Sequence, residues 1–177
     1  FGGNDVHDVE NLIRFFFFFE DFTKIKLSSF FSMMGVSRGA MEMFLSLSRS
    51  NYVKTKVKYA ISVSGNVDLN ICMNTRPEMK FFFSNEFKNS HEKSLNDWVK
   101  ARDPVSHVSG LSKSLKVLMI YGLSDNRVSI DEQKSFKNAL DKANITSKLI
   151  TVPGANHGLT DHFEELQEIL ESNVILH

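Results

Sequence analysis

The sequence predicts an α/β fold, a mainly parallel sheet with helices on both faces. Short apolar or β-branched runs alternate along the chain with longer stretches of helical spacing. The runs are mainly apolar or β-branched and do not alternate strictly with polar residues, as expected of strands covered on both faces. Most close at a glycine or proline turn that starts the next crossover. At 177 residues and 42% hydrophobic content, the chain is long enough to bury a sizeable core, and one domain over 1–177 is expected.

Taken in order, residues 5–20 read as a helix that Asp5 opens as N-cap, with Val6, Val9, Leu12, Ile13, Phe16 and Phe17 in one stripe. Phe15 and Phe18 fall outside that stripe, so a lone domain leaves aromatic rings in water. They are expected to pack against a missing N-terminal segment or another subunit. Phe30 to Met34 is a short strand ending at Gly35, and Met41, Phe44, Leu45 and Leu47 follow with helical spacing. Val57 to Val63 reads as a buried parallel strand closing at Ser64-Gly65. The region 66–115 is a polar excursion from the sheet, with short helices near 77–88 and 92–101 and a turn at Asp103-Pro104. Lys116 to Tyr121 is the next strand, ended by Gly122. Residues 130–143 return to helical spacing, Ser147 to Val152 is the last strand, and 161–173 forms a terminal amphipathic helix.

Composition excludes several classes of function. The 21 basic and 21 acidic residues cancel and are interspersed, so no long-range field recruits nucleic acid or an anionic membrane. No stretch approaches the ~18 apolar residues of a membrane span, and a soluble protein is expected. Cys72 is the single cysteine and reads as a small buried thiol; without a disulfide to keep oxidised, a cytoplasmic address is favoured but not established. The chain begins with Phe1 and carries no recognisable leader, so it reads as a piece of a longer product. The Asn144-Ile145-Thr146 sequon matters only in a secreted protein.

The chemistry centres on Gly35-Val36-Ser37-Arg38-Gly39, at the expected strand-to-helix turn. In a nucleophile elbow the turn is so tight that side chains flanking the serine collide, which is why Gly35 and Gly39 stand there. The Arg38 backbone N–H then points at a developing oxyanion from a helix start. An ordinary glycine-rich turn is the plainer reading. A serine hydroxyl needs a base, itself oriented by an acid, and on this fold they follow in the order Ser, Asp, His. Asp125 follows strand 116–121 and His157 follows strand 147–152, so topology delivers both to the edge of the sheet that carries Ser37. Taken alone, Asp125 reads equally as a cap for the helix near Ile130, and His157 as a loop histidine. Asp68, after strand 57–63, is a rival acid. His7, His91, His107, His162 and His177 have no comparable setting. No metal motif, cysteine pair or phosphate loop is present, and the expected chemistry uses neither cofactor nor metal.

The chain resembles the C-terminal catalytic part of prolyl oligopeptidase family serine peptidases, a family of the α/β-hydrolase fold. The residues that carry the resemblance run nearly end to end: Phe1-Gly2-Gly3-Asn4-Asp5-Val6 with Asp8-Val9, Gly35-Val36-Ser37-Arg38-Gly39-Ala40-Met41, Ala101-Arg102-Asp103-Pro104-Val105, Leu118 to Val128, and Asn156-His157-Gly158. The resemblance implies a serine hydrolase acting on peptides or acylated amino acids, with Ser37, Asp125 and His157 as its triad. A carboxylesterase or lipase-like enzyme acting on a small ester is the alternative, and a non-catalytic remnant or interaction module the alternative of another kind. Ala40 stands where the family usually has a second glycine. The family also carries further strands before this point, and these bring a second oxyanion donor; losing one such donor costs about 10²–10³ in rate.

Overall fold

The structure is a computed structural model and describes residues 2–173; Phe1 and His177 lie outside them. Four strands, β1 (Phe31–Val36), β2 (Val57–Val63), β3 (Lys116–Gly122) and β4 (Ser147–Val152), form one sheet in the order β1-β2-β3-β4, every pair parallel. The registers Val36↔Val63, Val63↔Ile120 and Gly122↔Val152 align the carboxyl ends, so the loops leaving these strands crowd one edge.

The helices are α1 (Val6–Thr23), α2 (Arg38–Arg49), α3 (Asn51–Lys56), α4 (Leu69–Thr75), α5 (Pro77–Lys88), α6 (Leu95–Arg102), α7 (Ile130–Lys142) and α8 (Phe163–Asn173). Period-two alternation along the strands divides the core. Ala60, Val117 and Met119, joined by Val57 across a register shift at the start of β2, face α1, α2 and α7, meeting Ile13, Phe44 and Phe136. Ile61, Leu118 and Ile120 face the other way, against Leu166 of α8. Helices thus cover both faces, as expected. The excursion packs on α2 instead of the sheet: Phe83, Trp98 and Leu69 bury Met41, Leu45 and Val6.

Several local expectations change. Asp5 sits at the N-cap of α1 but caps nothing; its carboxylate accepts from the Gly2 backbone N–H at 3.0 Å. Leu12 and Phe16, assigned to the buried stripe, are exposed beside Phe15, Phe18, Phe19 and Phe22, while Val6 and Ile13 are buried. The sheet is narrow and α1 stands at its β1 edge, so only one side of the helix finds a partner. Phe17 does, packing edge-on against Phe31 at 5.6 Å. Helix α3 was not expected, since six residues are too few to show a period; Ser50 caps it by accepting from Val53 N at 3.1 Å. Pro104 opens a 3₁₀ helix, Pro104–Gly110, where a turn was expected. No helix among the described residues is long and apolar enough to cross a membrane.

Candidate active site

The turn out of β1 is built around Gly35. A Cβ there would lie 2.5 Å from Ala40 N and from the Gly39 carbonyl, inside backbone of the first turn of α2. Ser37 follows with φ 54° and ψ −120°, a sparsely populated conformation that costs roughly 1–3 kcal/mol for a residue with a side chain. Three backbone hydrogen bonds hold it: Ser37 N donates to Val63 O at 2.9 Å, and Ala40 N and Asn66 N both donate to Ser37 O at 3.1 Å. Ser37 is half-buried at the N-cap of α2, and its hydroxyl is not spent on capping. Arg38 is the first helical residue, where a backbone N–H points out of the positive end of the helix. Gly39 behaves differently from Gly35. A Cβ at Gly39 would meet nothing within 4 Å. The collision expected on both sides of Ser37 therefore occurs only at Gly35, because only the entering strand runs beneath α2; Gly39 leaves open space.

Asp125 lies in the loop leaving β3. Its Oδ1 accepts from Arg127 N at 2.8 Å and Val128 N at 3.0 Å, and its Oδ2 meets His157 Nδ1 at 2.8 Å. The Asp125 side chain is fully covered, and that of His157 is 13% exposed. Burial raises the Asp125 carboxyl, but the hydrogen bonds from His157, Val128 and Arg127 outweigh it and hold the group below its ordinary value. It is an ionised acceptor that orients the imidazole and leaves Nε2 turned away from the contact.

Close packing of two loops brings this pair together. Ser124 N donates to Ala155 O and Leu123 N to Val152 O, both at 2.9 Å, and a side chain on Gly122 would run into the Ala155 and Asn156 carbonyls. On the far side, Asp161 accepts from Asn156 N at 3.0 Å, and Gly158 takes φ +83° with its Cβ position 3.6 Å from Val36 Cγ1. The histidine loop therefore rests against the residue before Ser37. Among the described residues, no hydrogen bond joins the Ser37 hydroxyl to His157; such contacts often tighten only when substrate binds.

The rival acid is occupied elsewhere. Asp68 caps α4, accepting from Ile71 N at 3.1 Å, and accepts from Ser135 Oγ at 2.6 Å. Nor does Asp125 cap α7; Ser129 does so, in a capping box with Glu132. His107 binds the Lys100 and Ala101 carbonyls, His162 pairs with Asp161 at 3.0 Å, and His7 and His91 are exposed. Cys72 is buried, and burial pushes its thiol up to about 12, so it is no nucleophile at neutral pH. Among the described residues, no three His, Cys, Asp or Glu side chains are placed to hold a metal ion.

Three supporting residues escaped sequence reasoning. Gly122 and Tyr121 read only as the end of a strand, and Asp161 only as the start of the terminal helix. Tyr121 is buried and donates to Val128 O at 2.8 Å, pinning the loop whose N–H groups hold Asp125. A tyrosine in an otherwise aliphatic strand was the available signal, since a buried hydroxyl needs an acceptor. Beside Ser37 lies a cavity of about 200 Å³ lined by Arg38, Asn66, Leu69, Met79, Phe82 and Phe83.

A family model described as the prolyl oligopeptidase family matches residues 2–172. No curated protein matches the sequence. Among solved structures, acylaminoacyl peptidase from Pyrococcus horikoshii is similar with a TM-score of 0.73 at 16% identity, over 96% of this chain and 28% of that one. A puromycin-hydrolyzing peptidase from Mycobacterium tuberculosis gives 0.66 at 20% identity, over 89% of this chain and 22% of that one. Esterase B from Lactobacillus rhamnosis gives 0.63 at 12% identity, over 81% and 52%. At these identities the likeness is one of fold, and this chain spans about a quarter of the two peptidases and about half of the esterase.

Proposed function

The chain belongs to the prolyl oligopeptidase family, and from that premise we propose that it is the catalytic part of a serine peptidase that cleaves peptide or acyl-amino-acid bonds through an acyl-enzyme on Ser37. The observation that carries this reading is the 2.8 Å contact between the covered Asp125 carboxylate and His157 Nδ1, at the sheet edge where Ser37 sits strained. In the proposed mechanism His157 Nε2 takes the Ser37 proton as Oγ attacks the substrate carbonyl. Asp125 stabilises the imidazolium that forms. The Arg38 backbone N–H donates to the oxyanion, a contribution worth about 10²–10³ in rate for one such donor. The leaving amine receives the proton from His157, and water, activated by the same base, releases the acyl group. The cavity beside Ser37 has apolar walls at Leu69, Met79, Phe82 and Phe83, which suits a substrate with a large apolar side chain next to the scissile carbonyl.

A fluorophosphonate probe tests the nucleophile. Labelling confined to Ser37 and absent in Ser37→Ala is expected; a folded sample, carrying any upstream sequence, that stays unlabelled would overturn the reading. The fold is also that of an esterase, so an aminoacyl-peptide amide and a p-nitrophenyl ester should be compared. Measurable amide cleavage is expected. Rapid ester turnover with no amide cleavage would reassign the chain to small esters.

A further inference from the structure

The Ser37 turn and the Asp125 loop stand on different elements, and one buried side chain spans them. Gln133 lies one turn into α7, the helix that begins where the Asp125 loop ends. Its Nε2 donates to Gly65 O at 2.7 Å, across 68 residues of sequence and away from solvent. Gly65 belongs to the strap Ser64-Gly65-Asn66 leaving β2. Ser64 N donates to Ile120 O at 2.9 Å and Asn66 N to Ser37 O, so the strap is tied to β3 on one side and the Ser37 turn on the other. A side chain on Gly65 would strike Ser62 Oγ and Ala40 Cβ, which shows how closely the strap lies against the first turn of α2.

Gln133 is also an odd choice for packing. It is completely buried, and its Oε1 has no hydrogen-bond partner among the described residues. A buried carbonyl without a partner is destabilising, a cost that methionine of similar shape would avoid. Local rules are broken in this way mostly where function requires it.

We propose that Gln133 is a positioning residue, which through Gly65 sets the Ser37 turn at its working distance from the Asp125–His157 pair. It rests on the reading of Ser37 as nucleophile. It touches no reacting atom, so its loss is felt in the rate of the chemical step more than in substrate binding or stability.

The test uses the full chain. Gln133→Met is expected to slow fluorophosphonate labelling of Ser37 and kcat on a p-nitrophenyl ester about tenfold, with KM within about twofold and the melting temperature unchanged or raised. Labelling and kcat within about twofold of the wild type would overturn the inference. Gln133→Glu adds a signature that a space-filling role lacks. Its carboxyl donates to Gly65 O only while protonated, so its rate relative to wild type falls as pH rises from about 6 to about 8.5; a flat ratio counts against the proposal, and this variant carries the test if the methionine variant does not fold. Hydrogen exchange at the Asn66 amide reads the strap without chemistry. It is expected to quicken about tenfold in Gln133→Met while β3 amides stay unchanged, and unchanged exchange at Asn66 overturns the proposal. A wild type that fails to label refutes Ser37 as nucleophile, and the exchange result then still decides whether Gln133 holds the strap.

Discussion

Gly35 and Gly39 flank Ser37 symmetrically in the sequence and asymmetrically in space. Gly35→Ala forces a methyl into the backbone of α2, and loss of the folded turn is expected, read as absent labelling of Ser37 and a large fall in melting temperature. Gly39→Ala meets open space within a helix, where alanine is favoured by roughly 0.5–1 kcal/mol. A slightly higher melting temperature is expected there. At the same scale, Asp125→Asn keeps the hydrogen bonds from Arg127 and Val128 but removes the charge that orients His157. A loss of about 10³–10⁴ in kcat is expected with the fold intact by circular dichroism. The three proposed catalytic residues were legible because each lies just after a strand, Ser37 between two glycines, in the chain order Ser, Asp, His. Gly122, Tyr121 and Asp161 were not, because what they do depends on a neighbouring loop far away in sequence.

At the scale of elements, α7 carries an unusual load. Its Glu132 is buried, and burial, reinforced by the Asp68 charge, pushes its carboxyl up to about 8, although the Ser129 backbone N–H favours the ion. The sign follows directly. Between the ordinary carboxyl value of 4.5 and about 8 the folded chain keeps a proton that the unfolded chain has released, so folding stability falls as pH rises through that window. Glu132→Gln removes the dependence. Its denaturant midpoint is expected to vary less between about pH 5 and about pH 8 than that of the wild type, and equal slopes would refute the assignment. Strands and long helices were readable from period and composition, whereas α3 and the 3₁₀ helix were too short to show either.

For the whole molecule, the exposed apolar flank dominates. Phe15, Phe18 and Phe22 are 55%, 66% and 77% exposed, and Met34 and Val36 of the neighbouring edge strand are open as well. Bare edge strands beside aromatic surface favour association, and a net charge of zero supplies no repulsion against it. Self-association of the chain through this flank is therefore expected. Phe18→Lys with Phe22→Lys is expected to reduce self-association of the chain, measured by sedimentation velocity, without altering the melting temperature by more than a few degrees. Unchanged sedimentation would show that the flank is not the contact.

Sequence by itself determined the alternation of strands and helices, the parallel sheet, and the three positions where serine, aspartate and histidine leave strand ends, because period and turn chemistry are local properties of a chain. Tertiary structure decided which side of α1 is covered, which acid meets His157, and why Gly35 is closed in by backbone while Gly39 has room. Those outcomes depend on distances between segments tens of residues apart, and such distances exist only once the sheet has aligned its carboxyl ends.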